Sequence, residues 1–234
     1  MKKKTIEKDT VILDQIPFSP DLPILMKRLA IPENSRYAND FSKLSKISMD
    51  VARPKAMVMM LGLEEINEDS ILAGGILFKS RVLAVNLKNQ ARLFAFAATC
   101  GTELEEWSSS LKSLLHKFWM ETLKQTALAF ASKALKHSIM EDYNPGRTTE
   151  MCPGELEEDW PLSEQAPLFA LLGDTEQAIG LSLLPSLMMK PEKTRSGVIY
   201  ATEDHFETCM LCPQGRCPGR RAPFEENLYE RKYR

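Results

Sequence analysis

The chain has 234 residues, with Lys+Arg 30 against Asp+Glu 32 and a net charge of -2. That length can bury a large core without covalent staples, and so even a charge balance excludes a general nucleic-acid binder or a polybasic membrane surface. No run approaches the roughly 18 to 20 apolar residues of a membrane span, and no apolar secretory core opens the chain, so a cytoplasmic protein is expected.

Lys2-Lys3-Lys4 and the basic end Arg231-Lys232-Tyr233-Arg234 read as solvated termini. Residues 1–50 read as an N-terminal extension with one short amphipathic helix. Ser19-Pro20-Asp21-Leu22-Pro23 supplies the start, Leu22, Leu25, Met26 and Leu29 share a face, and Pro32 stops it.

From Ala56 to Ala98 the pattern turns to short apolar runs between turn residues. Lys55–Leu61, Ile76–Phe78, Val82–Val85 and Arg92–Ala98 are strand candidates, with Ala73-Gly74-Gly75 as a plain turn or bulge. Thr102 with Glu105 three residues on fits a capping box and opens the longest helical stretch. Leu104, Trp107, Leu111, Leu114, Leu115 and Phe118 form one apolar face, continued by Trp119, Leu123, Ala127, Phe130 and Ala134. No Gly or Pro interrupts Thr102–Tyr143, which predicts one helix of about ten turns or two that break near Ser108-Ser109-Ser110. Asn144-Pro145-Gly146 ends it.

Arg147 through Glu155 then carries Pro153-Gly154, a pair that forces a turn and lets a ligand approach the backbone closely. Leu162–Gly173 reads as a short helix with Ser163 as N-cap and Gly173 as stop, and Ile179–Leu184 and Gly197–Ala201 as further strands. The fold class expected is α+β: one antiparallel or mixed sheet with a long helix packed on it. It comprises the extension at 1–50, a main domain at 51–221 and a tail at 222–234.

Of the five cysteines, Cys209, Cys212 and Cys217 form C-x2-C-x4-C, with Pro213 and Gly215 as the knuckle. Three soft ligands suit zinc or an iron-sulfur cluster, each of which normally takes four. The fourth place is open to Cys152, Cys100 or His205, while reduced thiols in a structural turn are the plainer alternative. Arg216, Arg220 and Arg221 could receive an acidic partner surface. His116 and His137 lack a partner at ligand spacing, and the Met57-Met59-Met60 and Met188-Met189 groups look like core filler. Neither a nucleophile elbow nor a P-loop occurs, so no catalytic side chain is assigned.

In order along the chain, Ala98-Thr99-Cys100-Gly101 with Leu104-Glu105, Arg147 with Pro153-Gly154, Met189-Lys190-Pro191, Ser196-Gly197 and the terminal cysteine cluster resemble one family. It is the reactivation (activation) domain of cobalamin-dependent methionine synthase and its standalone relatives. Glu155 stands where that family has a tyrosine, and Leu184-Pro185-Ser186 where it has Thr-Glu-Ser. The resemblance implies S-adenosylmethionine in a shallow groove formed by Arg147, Cys152, Pro153, Gly154 and Glu155. Arg147 would pair with the ligand's carboxylate, the turn backbone would line the groove, and Glu155, with Glu157, Glu158 and Asp159 behind it, would face the sulfonium.

The function implied is assistance in reductive reactivation of a corrinoid (vitamin B12) methyltransferase. The partners would be a corrinoid protein or corrinoid-dependent methyltransferase and a reductase as electron source. Positioning would be the protein's contribution. The competing expectation is a metal-binding interaction module that keeps the fold and docks without the ligand. An independent methyltransferase is the weakest of the three, since the Gly-rich nucleotide-binding turn is missing.

Overall fold

The structure, a computed structural model, describes residues 4–7 in backbone only and residues 10–234 in full. Lys2 and Lys3 lie outside the described residues. The chain runs β1 (Lys4–Glu7), β2 (Thr10–Leu13), α1 (Leu22–Arg28), α2 (Arg36–Val51), β3 (Lys55–Ile66), β4 (Ser70–Ala73), β5 (Ile76–Lys79), α3 (Arg81–Leu87), β6 (Arg92–Thr99), α4 (Thr102–Ser110) and α5 (Leu114–Tyr143). It continues with β7 (Thr148–Met151), α6 (Gln165–Leu172), α7 (Thr175–Ile179), β8 (Ser182–Leu183), β9 (Met189–Lys190), β10 (Thr194–Ala201) and α8 (Leu228–Lys232).

The sheet has the order β1-β2-β3-β6-β10-β7, with the β4–β5 hairpin continuing from the far end of β3, and every pairing is antiparallel. β6 lies between β3 and β10, and its near-continuous apolar run is explained by burial on both faces. Leu93, Ala95 and Ala97 point into a core with α3, α6 and α7, whereas Phe94, Phe96 and Ala98 point the other way, against α5. At 30 residues α5 is about 45 Å long, and it serves two cores. Leu128, Ala131, Leu135 and Ile139 cover the sheet, while Trp119, Met120, Leu123 and Ala127 enter a helical corner with α1, α2 and α4.

The α4–α5 break has a local cause. The hydroxyls of Ser108 and Ser109 donate to the Glu105 carbonyl and that of Ser110 to the Trp107 carbonyl, after which Leu111 is extended and Ser113 caps α5. Serine side chains here compete for backbone acceptors at a helix end.

Several expectations are corrected. Val82–Val85 is part of α3 and not a strand, because Ser80 caps Leu83 N–H and the distant Asp159 carboxylate accepts from Val82 N–H. Thr102 makes no capping box: Gly101 is the N-cap without a side-chain bond, and the Thr102 hydroxyl meets Glu103. Ser163 does not cap α6, which grows out of a 3-10 turn at Leu162–Glu164, although Gly173 does end it. Ile179 closes α7, leaving a strand of only Ser182–Leu183. Leu114, Leu115 and Phe118 are exposed, so the apolar face does not start where the periodicity put it. The first fifty residues also supply β2, paired to β3, and the 16-residue α2, whose buried face mixes Phe41 and Leu44 with Ser45 and Ser48. Finally, Tyr233 is no solvated end: it is buried in the core below α3, held by Asn86 and by Arg81 on its carbonyl.

Candidate ligand-binding site

β7 is the last strand of the sheet and has β10 as its neighbour. At its far end the chain turns sharply: Glu155 N–H donates to the Cys152 carbonyl at 3.1 Å, Gly154 N–H to the Trp160 carbonyl at 2.9 Å, and Leu156 bridges to Trp160. Gly154 sits at φ +83°, a conformation that L side chains rarely adopt, and a Cβ there would lie 3.3 Å from Leu162. The turn is therefore built as the sequence predicted. On β10 the matching requirement falls on Gly197, where a Cβ would come within 2.2 Å of the Met151 carbonyl oxygen. Only glycine lets the two strands meet there.

Around this turn six charged groups converge from separate segments. Glu150 of β7 is paired with Lys136 of α5 at 2.9 Å and with Arg195 of β10 at 2.9 Å. Arg195 also holds Glu155 at 2.6 Å, and Arg221 lies 3.4 Å from Glu155, 3.7 Å from Glu150 and 2.7 Å from Glu207. Thr208 links them, donating to Glu155 and accepting from Arg221, each at 2.9 Å. Burial alone would raise the Glu150 carboxyl, but Arg195 and Lys136 override it and hold the group below the ordinary carboxylate range. Arg221 behaves in the mirror sense. Burial would lower it, and Glu155, Glu207 and Glu150 raise it instead. The Nε of Arg195 is buried without a hydrogen-bond partner among the described residues.

Glu155 also lines a cleft of about 250 Å³, walled on one side by Leu156, Glu157, Glu158 and Asp159 and on the other by Leu211, Cys212, Pro213 and Tyr229. The acidic run does not present one negative face to it. Glu157 accepts from Leu162 N–H and Asp159 caps α3 with the help of Ser80, so these two carboxylates serve the local fold.

Of the expected site residues, the structure brings together Cys152, Pro153, Gly154 and Glu155. It places Arg147 apart from them, exposed at the opposite end of β7. Cys152 is buried beneath the sheet among the residues facing α5, and burial pushes its thiol well above the usual range. Arg195, Arg221, Lys136, Glu150, Glu207 and Thr208 were not read from the sequence as site residues. Arg195 does directly precede Ser196-Gly197, and Arg221 belongs to the arginines after the cysteines.

The cysteine loop is held by backbone contacts to an arginine. Among the described residues no group of three Cys, His, Asp or Glu side chains could hold a metal ion. Instead the loop wraps a guanidinium: Arg220 donates to the carbonyls of Cys209 at 2.8 Å, Cys212 at 3.0 Å and Ala222 at 3.1 Å, and also to that of Gln214. Carbonyl dipoles closed around a fixed cation help give the knuckle its shape. The three proposed fourth ligands are dispersed, with Cys152 beneath the sheet, Cys100 buried in the helical corner and His205 lining a separate hollow beside Met210.

No family model matches the sequence, and no curated protein matches it. Among solved structures that match is a crystal structure of the MetH reactivation domain bound to AdoHcy, with a TM-score of 0.58, covering 81% of this chain and 72% of that chain at 14% identity. The fold is of the methionine synthase reactivation-domain type. The α+β expectation, with the long helix packed on the sheet, is therefore correct, and the sheet proves to be antiparallel. No helix among the described residues is long and apolar enough to cross a membrane.

Proposed function

We propose that this protein binds S-adenosylmethionine beside the Pro153-Gly154 turn and uses it to assist reductive reactivation of a corrinoid held by a partner methyltransferase or corrinoid protein. The observation that carries the proposal is the likeness in fold to a domain whose crystal structure contains AdoHcy, joined to a strand-end turn at Gly154 that exposes backbone next to an open cleft. S-adenosylmethionine would supply the methyl group, and a reductase partner the electron.

The chain's own residues bind and orient. Cys152, Pro153 and Gly154 give the rigid backbone wall, and Glu155 offers the carboxylate for the sulfonium. Arg147 is set to take the ligand's own carboxylate from the other end of β7. Arg147 stands five positions before Cys152, across the four-residue β7, roughly 17 Å at about 3.4 Å per residue. That is longer than the three carbons joining the ligand's sulfonium to its carboxyl, so Arg147 meets the carboxylate only if its own long side chain reaches back along the strand. No side chain acts as acid or base in this scheme. Catalysis would come from holding the methyl donor in position.

A second reading keeps the docking role and omits the ligand. The pairing of Glu155 with Arg195 and Arg221 favours it, because a carboxylate so engaged has less to offer a sulfonium. Calorimetric titration of S-adenosylmethionine into anaerobically purified protein, beside Arg147→Ala, separates the two. Saturable binding that weakens roughly 10- to 100-fold in the variant is expected, the range for losing a hydrogen-bonded charge partner. A folded protein that gives no heat with the ligand leaves docking as the better account.

A further inference from the structure

Glu155 is the carboxylate expected to face the sulfonium, yet it already has guanidinium neighbours at 2.6 Å and 3.4 Å. The two differ in how they are held. Arg195 belongs to β10, fixed in the sheet between β6 and β7. Arg221 follows the cysteine loop, its side chain is 27% exposed, and its backbone is anchored independently by the buried Ala222 and by the Arg220 knot. The partners that hold its side chain, Glu207, Glu155 and Thr208, are reached from the side chain alone, and its backbone N–H rests on Cys209 of the loop.

We propose that Arg221 is an internal cation occupying the acidic end of the ligand site, and that a cationic ligand binds by taking its place. The identity of the ligand rests on the S-adenosylmethionine reading. The charge count supports the exchange: Glu150, Glu155 and Glu207 are matched by Lys136, Arg195 and Arg221, so the cluster is neutral as it stands. Withdrawal of Arg221 leaves a single negative charge. S-adenosylmethionine, with a sulfonium, an ammonium and a carboxylate, carries one net positive charge and restores neutrality. S-adenosylhomocysteine, the same molecule without the methyl group, is a thioether with no net charge and does not. Arg221 is thereby a selectivity device: it yields to the charged donor and closes again over the acids when only the neutral product is present.

The test titrates both ligands into the wild type, Arg221→Gln and Arg221→Lys, with melting curves to show that each is folded. Arg221→Gln is expected to bind S-adenosylmethionine roughly tenfold tighter, a common size for coupling between a site and its internal competitor. The thioether should change by less than about threefold, and Arg221→Lys, which keeps the charge but not the fork of donors, should fall between the wild type and Arg221→Gln for the donor and leave the thioether unmoved. Thr208→Val removes the hydroxyl that joins Arg221 to Glu155 while leaving the charge intact, and should move the donor the same way by a smaller step of about threefold. It keeps the proposal testable if Arg221→Gln does not fold.

If the wild type binds the donor and these variants bind it no tighter, Arg221 is not the occupant, although the ligand assignment stands. Equal tightening for both ligands also overturns the idea, since it would report space and not charge. If neither ligand binds any folded form, the ligand assignment fails and the exchange falls with it.

Discussion

The sheet with α5 and the edge around the Pro153-Gly154 turn are built on opposite principles. In the sheet, Phe94, Phe96, Leu135 and Ile139 are stabilised by removal from water, which needs the right volume and no particular partner. At the edge, Lys136, Glu150, Glu155, Arg195, Glu207 and Arg221 are held by named partners at bonding distance, and the more buried of them, Glu150 above all, would be costly there alone. The first region sets how stable the molecule is. The second sets how charge is arranged beside the strand-end turn.

The largest effect should come from the first region. Phe96→Ala empties a fully enclosed site between β6 and α5 and should cost about 3–5 kcal/mol, read from chemical denaturation. A loss below about 1 kcal/mol would mean that the α5 layer is not closely packed there.

The edge should respond less strongly but with a pH signature. Glu150→Gln leaves Lys136 and part of Arg195 without their acid and should cost roughly 3 kcal/mol at neutral pH. Because the folded carboxyl titrates below its unfolded value, this stabilisation is complete above the unfolded pKa of about 4.3 and is lost as pH falls through the folded value. Melting temperatures of the wild type and the variant should therefore run a constant distance apart from pH 7 to about pH 5 and converge in stronger acid. A gap that stays open at low pH would show that Glu150 contributes through packing and not through charge.

The smallest effect is expected at the cysteine loop, where a guanidinium has taken the organising role. Cys217→Ser, at an exposed position, should change stability by less than about 0.5 kcal/mol and leave the metal content of the purified protein unaltered. Arg220→Ala should instead open residues 213–219 to protease while the rest of the chain stays resistant. Should the cysteine substitution, and not the arginine one, loosen the loop, the carbonyl cage would be the wrong account of it.

How much of this could be read in advance differs along the chain. The apolar run of β6, the long helix with its serine break and the turns at Gly74-Gly75 and Gly173 were legible, because period and turn chemistry are local properties. α2 was not, since Ser45 and Ser48 sit on its buried face and blur its apolar stripe. Val82–Val85 had the composition of a strand, and Asp159, more than seventy positions away, helps make it the start of a helix. At the candidate site the Pro153-Gly154 turn and Gly197 were visible as residues. Their partners Arg195 and Arg221 were not, because ion pairs between distant segments leave no periodic trace.

The amino-acid sequence by itself determined that this is an α+β chain with a long helix and a sharp strand-end turn, because backbone geometry follows from nearest neighbours. Only the tertiary structure decided what surrounds that turn. It separated Arg147 from Glu155 by the length of a strand, gave Glu155 two guanidinium partners, and gathered the carbonyls of the cysteine loop around Arg220. The physical reason is that a charge settles wherever folding brings its counter-charge, and that meeting depends on the path of the whole chain.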